Sequence, residues 1–281
     1  MDSENTRSFN YAQLLQDIPD VVRMMDNIHD NTIFPLEEQR QESADKRRMG
    51  LGVTGLANAI EALGFPYGSE KFLEVAEQIL KYIRDEVYRS SIQLAAEKGA
   101  FPLYTEEYLD SEFIKTLPDV LQQGIKKYGI RNSHLLSIAP TGTISLTADN
   151  VSGGVEPVFS HEYQRTIQTE SGPIIENVKD YAWRYFKVKG KTANECTAKE
   201  HLDVLALATK YVDSAVSKTI NVKGDIPWED FKAIYMDAWK LGCKGCTTFN
   251  ADGKRYGILN EVEPEEEACY IDPETGQKEC S

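Results

Sequence analysis

The chain has 281 residues, 41% of them hydrophobic and 27% charged, which is ordinary for a globular protein and long enough to bury a sizeable core. A formal net charge of −14 excludes a broad interface with a nucleic-acid polymer, which needs clustered Lys and Arg, but a small phosphorylated ligand can still be held by backbone amides. No apolar run approaches the ~20 residues of a membrane helix, and residues 1–6 are polar and acidic with no signal-peptide pattern, so a cytoplasmic protein without membrane contact is expected.

In chain order, apolar residues at Leu14, Leu15, Ile18, Val21, Val22, Met25 and Ile28 form a helical stripe over residues 11–30, interrupted by Pro19. Residues 54–63 read as a helix stopped by Gly64 and Pro66. A longer helix runs from Ser69 to about Lys98, ended by Gly99. A short helix is expected over residues 118–128. Residues 134–139 (HLLSIA) form a compact apolar run suited to a buried strand. A loop rich in Thr, Gly and Ser follows from Pro140 to Gly154. A helix is expected from about Gly172 to before Val188. Thr197 and Glu200 make a capping box ahead of a helix over residues 201–216. Residues 228–241 are amphipathic, and residues 246–249 begin a strand. From Asn260 the chain is acidic and poor in apolar residues, so a mobile tail is expected. Helices alternating with short apolar strands indicate an α/β fold, divided into a domain over 1–259 and a tail over 260–281.

Five segments carry candidate chemistry. Gly50-Leu-Gly-Val-Thr-Gly55 fits a dinucleotide-binding fingerprint, but the residues before it, Ala44-Asp-Lys-Arg-Arg48, make no buried strand. Glycines that permit close packing of strand and helix explain it better. Residues Pro140, Thr141, Gly142, Thr143, Ile144 and Ser145 follow the strong strand. Their amides and three hydroxyls can converge on a phosphate, although a solvated turn has the same composition. Cys196 precedes a helix start but has no adjacent His to act as base, so it reads as structural. Cys243-Lys-Gly-Cys246 lacks two further ligands for zinc, so no metal site is expected and two buried thiols remain the leading reading. Cys269 and Cys280 lie in the acidic tail, where they are either incidental or a thiol pair for exchange.

Taken together, several stretches resemble one family. Arg47 through Ala57 (RRMGLGVTGLA), residues 134–145, Ser152 through Phe159 (SGGVEPVF), Val212 through Val222 (VDSAVSKTINV) and Gly242 through Phe249 (GCKGCTTF) occur in the order found in ribonucleotide reductase large subunits. The Pro-Thr-Gly-Thr-Ile-Ser form of the loop resembles the adenosylcobalamin-dependent class. Thr247-Thr-Phe249 also lacks the paired tyrosine of the iron-dependent class.

The resemblance implies the C-terminal half of a ten-stranded α/β barrel, a substrate phosphate loop at Pro140–Ser145, adenosylcobalamin as cofactor, and reduction of ribonucleotides to 2′-deoxyribonucleotides. It implies that Cys269 and Cys280 are redox thiols served by a thioredoxin-like reductant. The family's Asn-x-Cys-x-Glu triplet is absent. Asn194-Glu-Cys-Thr-Ala198 has Ala198 where Glu is required and lies beyond the phosphate loop. No catalytic residue is therefore expected in this chain. The radical cysteine should come from an N-terminal half acting as partner, as in a split or truncated gene. The alternatives are a non-catalytic nucleotide-binding or assembly module and, more remotely, a nicotinamide dehydrogenase.

Overall fold

The computed structural model describes residues 7–169 and 172–250, with the backbone of 259–261, 269–271 and 278–280. Helix α1 (Tyr11–Asn31) is capped by the Asn10 side chain, and Pro19 lies inside it without breaking it. Proline removes one helical hydrogen bond, and burial of Ile18 and Val22 on either side holds the helix together. Helix α2 (Glu37–Lys46) was not foreseen, because it buries no residue and so carries no apolar period. Helix α3 (Leu56–Ala62) and the long α4 (Glu70–Lys98) follow, α4 capped by Ser69 and ended by Gly99 at φ +87°. The short α5 (Glu112–Lys115) and α6 (Asp119–Tyr128) complete the first crossover. One turn, α7 (Ile144–Thr147), sits inside the Thr/Gly/Ser loop.

The helix expected after Gly172 is instead a hairpin. Strands β1 (Glu162–Thr169) and β2 (Gly172–Lys179) pair antiparallel, and a five-residue π-helix (Ala182–Phe186) comes after. Gly172 at φ +110° and the adjacent Pro173 oppose a helix start, and Ile174, Ile175 and Val178 favour extended backbone. The capping box of Thr197 and Glu200 is present, but helix α8 (Ala198–Lys210) is shorter than expected, since residues 214–217 are drawn into a sheet. Strand β3 (Thr219–Val222), helix α9 (Trp228–Lys240) and strand β4 (Thr247–Asn250) end the main body. Beyond it, β5 (Leu259–Glu261) pairs with β1, and β6 (Cys269–Ile271) pairs with β7 (Lys278–Cys280). Regular pairing was not expected in that stretch; the rest of the tail lies outside the described residues.

Four extended runs lie side by side, all parallel. Residues 49–51 bridge to 134–138, these bridge to 214–217, and the same run continues as β3 against β4. Parallel neighbours require crossovers, which the helices provide. One face of this sheet is covered. Val216, Lys218, Ile220 and Val222 alternate inward and are buried, with α8 packed on β3 and α4 packed on α8. On the other face Ala139, Ala215, Ser217, Thr247 and Phe249 are exposed. Parallel sheets are normally buried on both faces, so the bare face is the exceptional feature.

Two carboxylates, the buried Asp26 and the half-buried Asp213, set the register. Asp26 accepts from Arg47 Nε (2.8 Å), Arg131 Nε (3.2 Å) and Asn132 Nδ2 (3.0 Å), which anchors the starts of the first two runs to α1. Asp213 accepts the N–H groups of Leu135 (2.7 Å) and Leu136 (2.9 Å) and the hydroxyl of Tyr88 (2.8 Å). No described helix is long and apolar enough to cross a membrane.

The first two runs approach closely because Gly52 has no side chain: a Cβ there would lie 2.4 Å from the Ser137 carbonyl oxygen. Gly52→Ala should therefore cost about 1–3 kcal/mol in urea unfolding, the range for overpacking. Gly245→Ala, whose added Cβ meets nothing within 4 Å, should change little. Equal midpoints for the two variants would refute the close-approach argument.

Candidate functional site

The site lies where the run 134–138 leaves the sheet. Thr141 has φ +52°, uncommon for a residue with a Cβ. Its conformation is held by its own hydroxyl, which accepts from Gly154 N (2.7 Å) and lies 3.1 Å from Thr54 Oγ1. Ser145 is buried. Its N–H donates to the Thr141 carbonyl (2.8 Å) and its hydroxyl to the Gly142 carbonyl (3.3 Å). Of the three hydroxyls in the loop, two thus hold the loop itself and Thr143 alone is exposed without a partner. The N–H groups of Gly142, Thr143 and Ile144 carry no hydrogen bond among the described residues. A Cβ on Gly142 would meet nothing within 4 Å. Three consecutive free amides beside open space can bind an anion without any lysine.

Residues 152–156 form the floor of the loop. A Cβ on Gly153 would lie 2.6 Å from the Pro140 carbonyl oxygen, and one on Gly154 2.6 Å from that of Ala139. The floor is itself pinned. Ser152 O accepts from Gly55 N (2.6 Å) and Thr54 Oγ1 (2.8 Å), and Asn58 Oδ1 accepts from Ser152 N (2.6 Å). Tyr67 donates its hydroxyl to Val155 O (2.7 Å). A cleft of about 400 Å³ opens beside the loop on the bare face, lined by Ser137, Pro140, Ser217, Lys218, Cys246 and Thr247.

The other sequence candidates fall as follows. Gly50 and Gly52 serve strand-to-strand packing against Ser137, rather than the strand–helix contact expected, and Gly55 at φ +78° begins α3 against Val151. Cys196 is buried, and burial, then Glu200, pushes its thiol up to about 12, far from a reactive thiolate. Cys243 and Cys246 are half-buried at the α9–β4 junction, and burial raises both thiols. No group of three or more His, Cys, Asp or Glu among the described residues could hold a metal. Cys269 and Cys280 face each other in the β6–β7 register, and their side chains lie outside the described residues. Sequence reasoning missed the buried Lys218, which contacts Glu156 and His201. Its signal was legible: Val216, Lys218, Ile220 and Val222 alternate at strand period, with one charge among apolar residues.

A family model for the ribonucleotide reductase barrel domain matches residues 1–249, and the chain belongs to that family. The relatives refine the class. It is 30% identical to a vitamin B12-dependent ribonucleoside-diphosphate reductase of Mycobacterium tuberculosis, over 97% of this chain and 43% of that protein. It is also 30% identical to one of Thermoplasma acidophilum, over 90% of this chain and 34% of that protein. Identity to the ribonucleoside-diphosphate reductase subunit alpha of Treponema pallidum is 25%, over 79% of this chain. The chain spans less than half the length of these relatives.

Glu61 lies on α3 behind the site and is buried. Its Oε1 accepts from Tyr67 N (3.0 Å) and Lys191 N (2.8 Å), but its Oε2, packed against Gly190, has no partner. Burial raises its carboxyl from 4.5 to about 7. Between those two values the folded chain holds a proton that the unfolded chain has released, so stability falls as pH rises through the window, by on the order of 3 kcal/mol. Glu61→Gln should remove this slope, and the variant should gain on the unaltered chain between pH 5 and pH 8. Parallel stability–pH curves would contradict the assignment.

Proposed function

We propose that this chain is part of an adenosylcobalamin-dependent ribonucleotide reductase, contributing one half of its α/β barrel and the substrate phosphate loop. The observation that carries the reading is the set of free amides at Gly142, Thr143 and Ile144, set at the rim of a sheet face that is left bare. The substrate phosphates would be held by these amides and the Thr143 hydroxyl, with Pro140 fixing the start of the loop and Thr141 and Ser145 bracing it. The bare face would be the inner wall of a ten-stranded barrel closed by an N-terminal half, and that half would bring the radical cysteine. The substrate is a ribonucleotide, in keeping with the names of the relatives.

Adenosylcobalamin would supply the radical. The cleft beside the loop, about 400 Å³ and lined by Ser137, Pro140, Ser217, Lys218, Cys246 and Thr247, is too small for a corrin. Most of its contacts would come from the other half. What this chain's residues do is bind and orient the nucleotide, which lowers the entropic part of the barrier.

Mixing provides the test. This chain alone should form no deoxynucleotide, and addition of an N-terminal half carrying Asn-x-Cys-x-Glu, with adenosylcobalamin, should restore turnover. Gly142→Val should then raise KM by roughly tenfold or more with a smaller change in kcat, because its side chain fills the space at the amides. Nucleotide binding without turnover under any mixing would favour a non-catalytic binding module.

For the tail, each reduction replaces the 2′ C–O bond with C–H, releases water and oxidises two thiols to a disulfide. We assign Cys269 and Cys280 to passing electrons from a thioredoxin-like protein to that disulfide by thiol exchange. Their opposed positions in β6 and β7 support a pair acting together. Changing both to serine should abolish thioredoxin-driven turnover and spare turnover with a small dithiol. Retained thioredoxin-driven activity would remove the tail from the electron path.

A further inference from the structure

Lys218 has no exposed side-chain surface, and its ammonium has three protons with three acceptors in place. They are Glu156 Oε2 (2.7 Å), His201 Nδ1 (2.9 Å) and the Thr219 carbonyl (3.2 Å). Because a lysine ammonium can only donate, His201 must accept at Nδ1 and keep its proton on Nε2, which faces Ala193 O at 3.0 Å. Burial, helped by the Lys218 charge, holds His201 down at about 4, so it stays neutral in this role. The second oxygen of Glu156 accepts from Thr219 N at 2.6 Å. A buried ammonium is costly unless its protons are all satisfied, and here Lys218 has none left over.

The position of Glu156 gives the network its consequence. It closes the floor segment: its N–H donates to Gly153 O (2.8 Å), and Gly153 and Gly154 are the two glycines pressed under Pro140 O and Ala139 O. Gly154 N in turn donates to the Thr141 hydroxyl that holds the loop at positive φ. The chain of contact runs from α8 (His201) and the third strand run (Lys218) through Glu156 and the paired glycines to Thr141, next to the free amides.

We propose that Glu156, Lys218 and His201 are positioning residues that set the height and aim of the phosphate loop without touching the ligand. This rests on the phosphate-loop reading above. The Lys218 side chain has no exposed surface, and its charge is spent on the floor of the loop.

Hydrogen–deuterium exchange on the full chain reads the network without a ligand. Removing one partner alone strands a buried charge, so the main variant is Glu156→Met with Lys218→Met. Glu156→Gln, which keeps size and the acceptor for Thr219, serves as the milder variant. The double variant should speed exchange at the hydrogen-bonded amides of Ser145 and Leu146 and over 152–156 by roughly fivefold or more and leave the core of α4 unchanged. It should weaken binding of CDP about tenfold, with binding of cytidine unaltered. If the double variant does not fold, Glu156→Gln should show the same pattern at about threefold. Unchanged loop exchange in whichever variant is folded overturns the proposal. If the unaltered chain binds CDP no better than cytidine, or Gly142→Val leaves CDP binding intact, the phosphate reading fails instead, and exchange still decides the network.

Discussion

The carboxylate of Asp213 holds three elements in one place: it takes two adjacent N–H groups from the run at Leu135 and Leu136 and the buried hydroxyl of Tyr88 on α4. It sits where α8 has ended and the third run begins, so it fixes both where the helix stops and how that run is registered against its neighbour. A slip of one residue in a strand exchanges its two faces. Here a slip would turn Lys218 outward and Ser217 inward, and both the covered face and the cleft would be lost.

With the register set, the loop follows from backbone contacts more than from side-chain chemistry. Gly52, Gly153 and Gly154 each occupy a position where a Cβ would collide with a carbonyl oxygen. They let three segments converge within a few residues of Thr141. Hydroxyls that look like ligand donors in the sequence are used internally, since a loop with φ positive at a threonine needs its own braces. Free peptide N–H groups offer a partial positive charge even in an acidic chain.

Partial coverage is the other organising fact. A parallel sheet with one face under α8 and the other exposed along Ala139, Ser217, Thr247 and Phe249 departs from the usual burial of both faces. Apart from Phe249, the side chains named on that face are small. Trp228 and Trp239 of α9 are also strongly exposed, at 69% and 73%. Exposed aromatics on this scale are uncommon for a chain that works alone.

The sequence by itself determined the long helices, the capping box at Thr197 and Glu200, the strand at residues 134–139 and the family, because local periodicity, caps and motif order are written residue by residue. It also located the loop at Pro140–Ser145. Tertiary structure alone decided the β1–β2 hairpin, where a glycine, a proline and β-branched residues outweighed a helical reading. It decided the end of α8, which depends on Asp213 finding Leu135 and Leu136 some 77–78 residues away in the chain. It also decided which polar groups are free. Whether a lysine meets solvent or a carboxylate depends on remote partners, 62 residues away for Lys218 and Glu156. No local pattern encodes that distance, since hydrogen bonds between remote segments exist only after the core has brought them together.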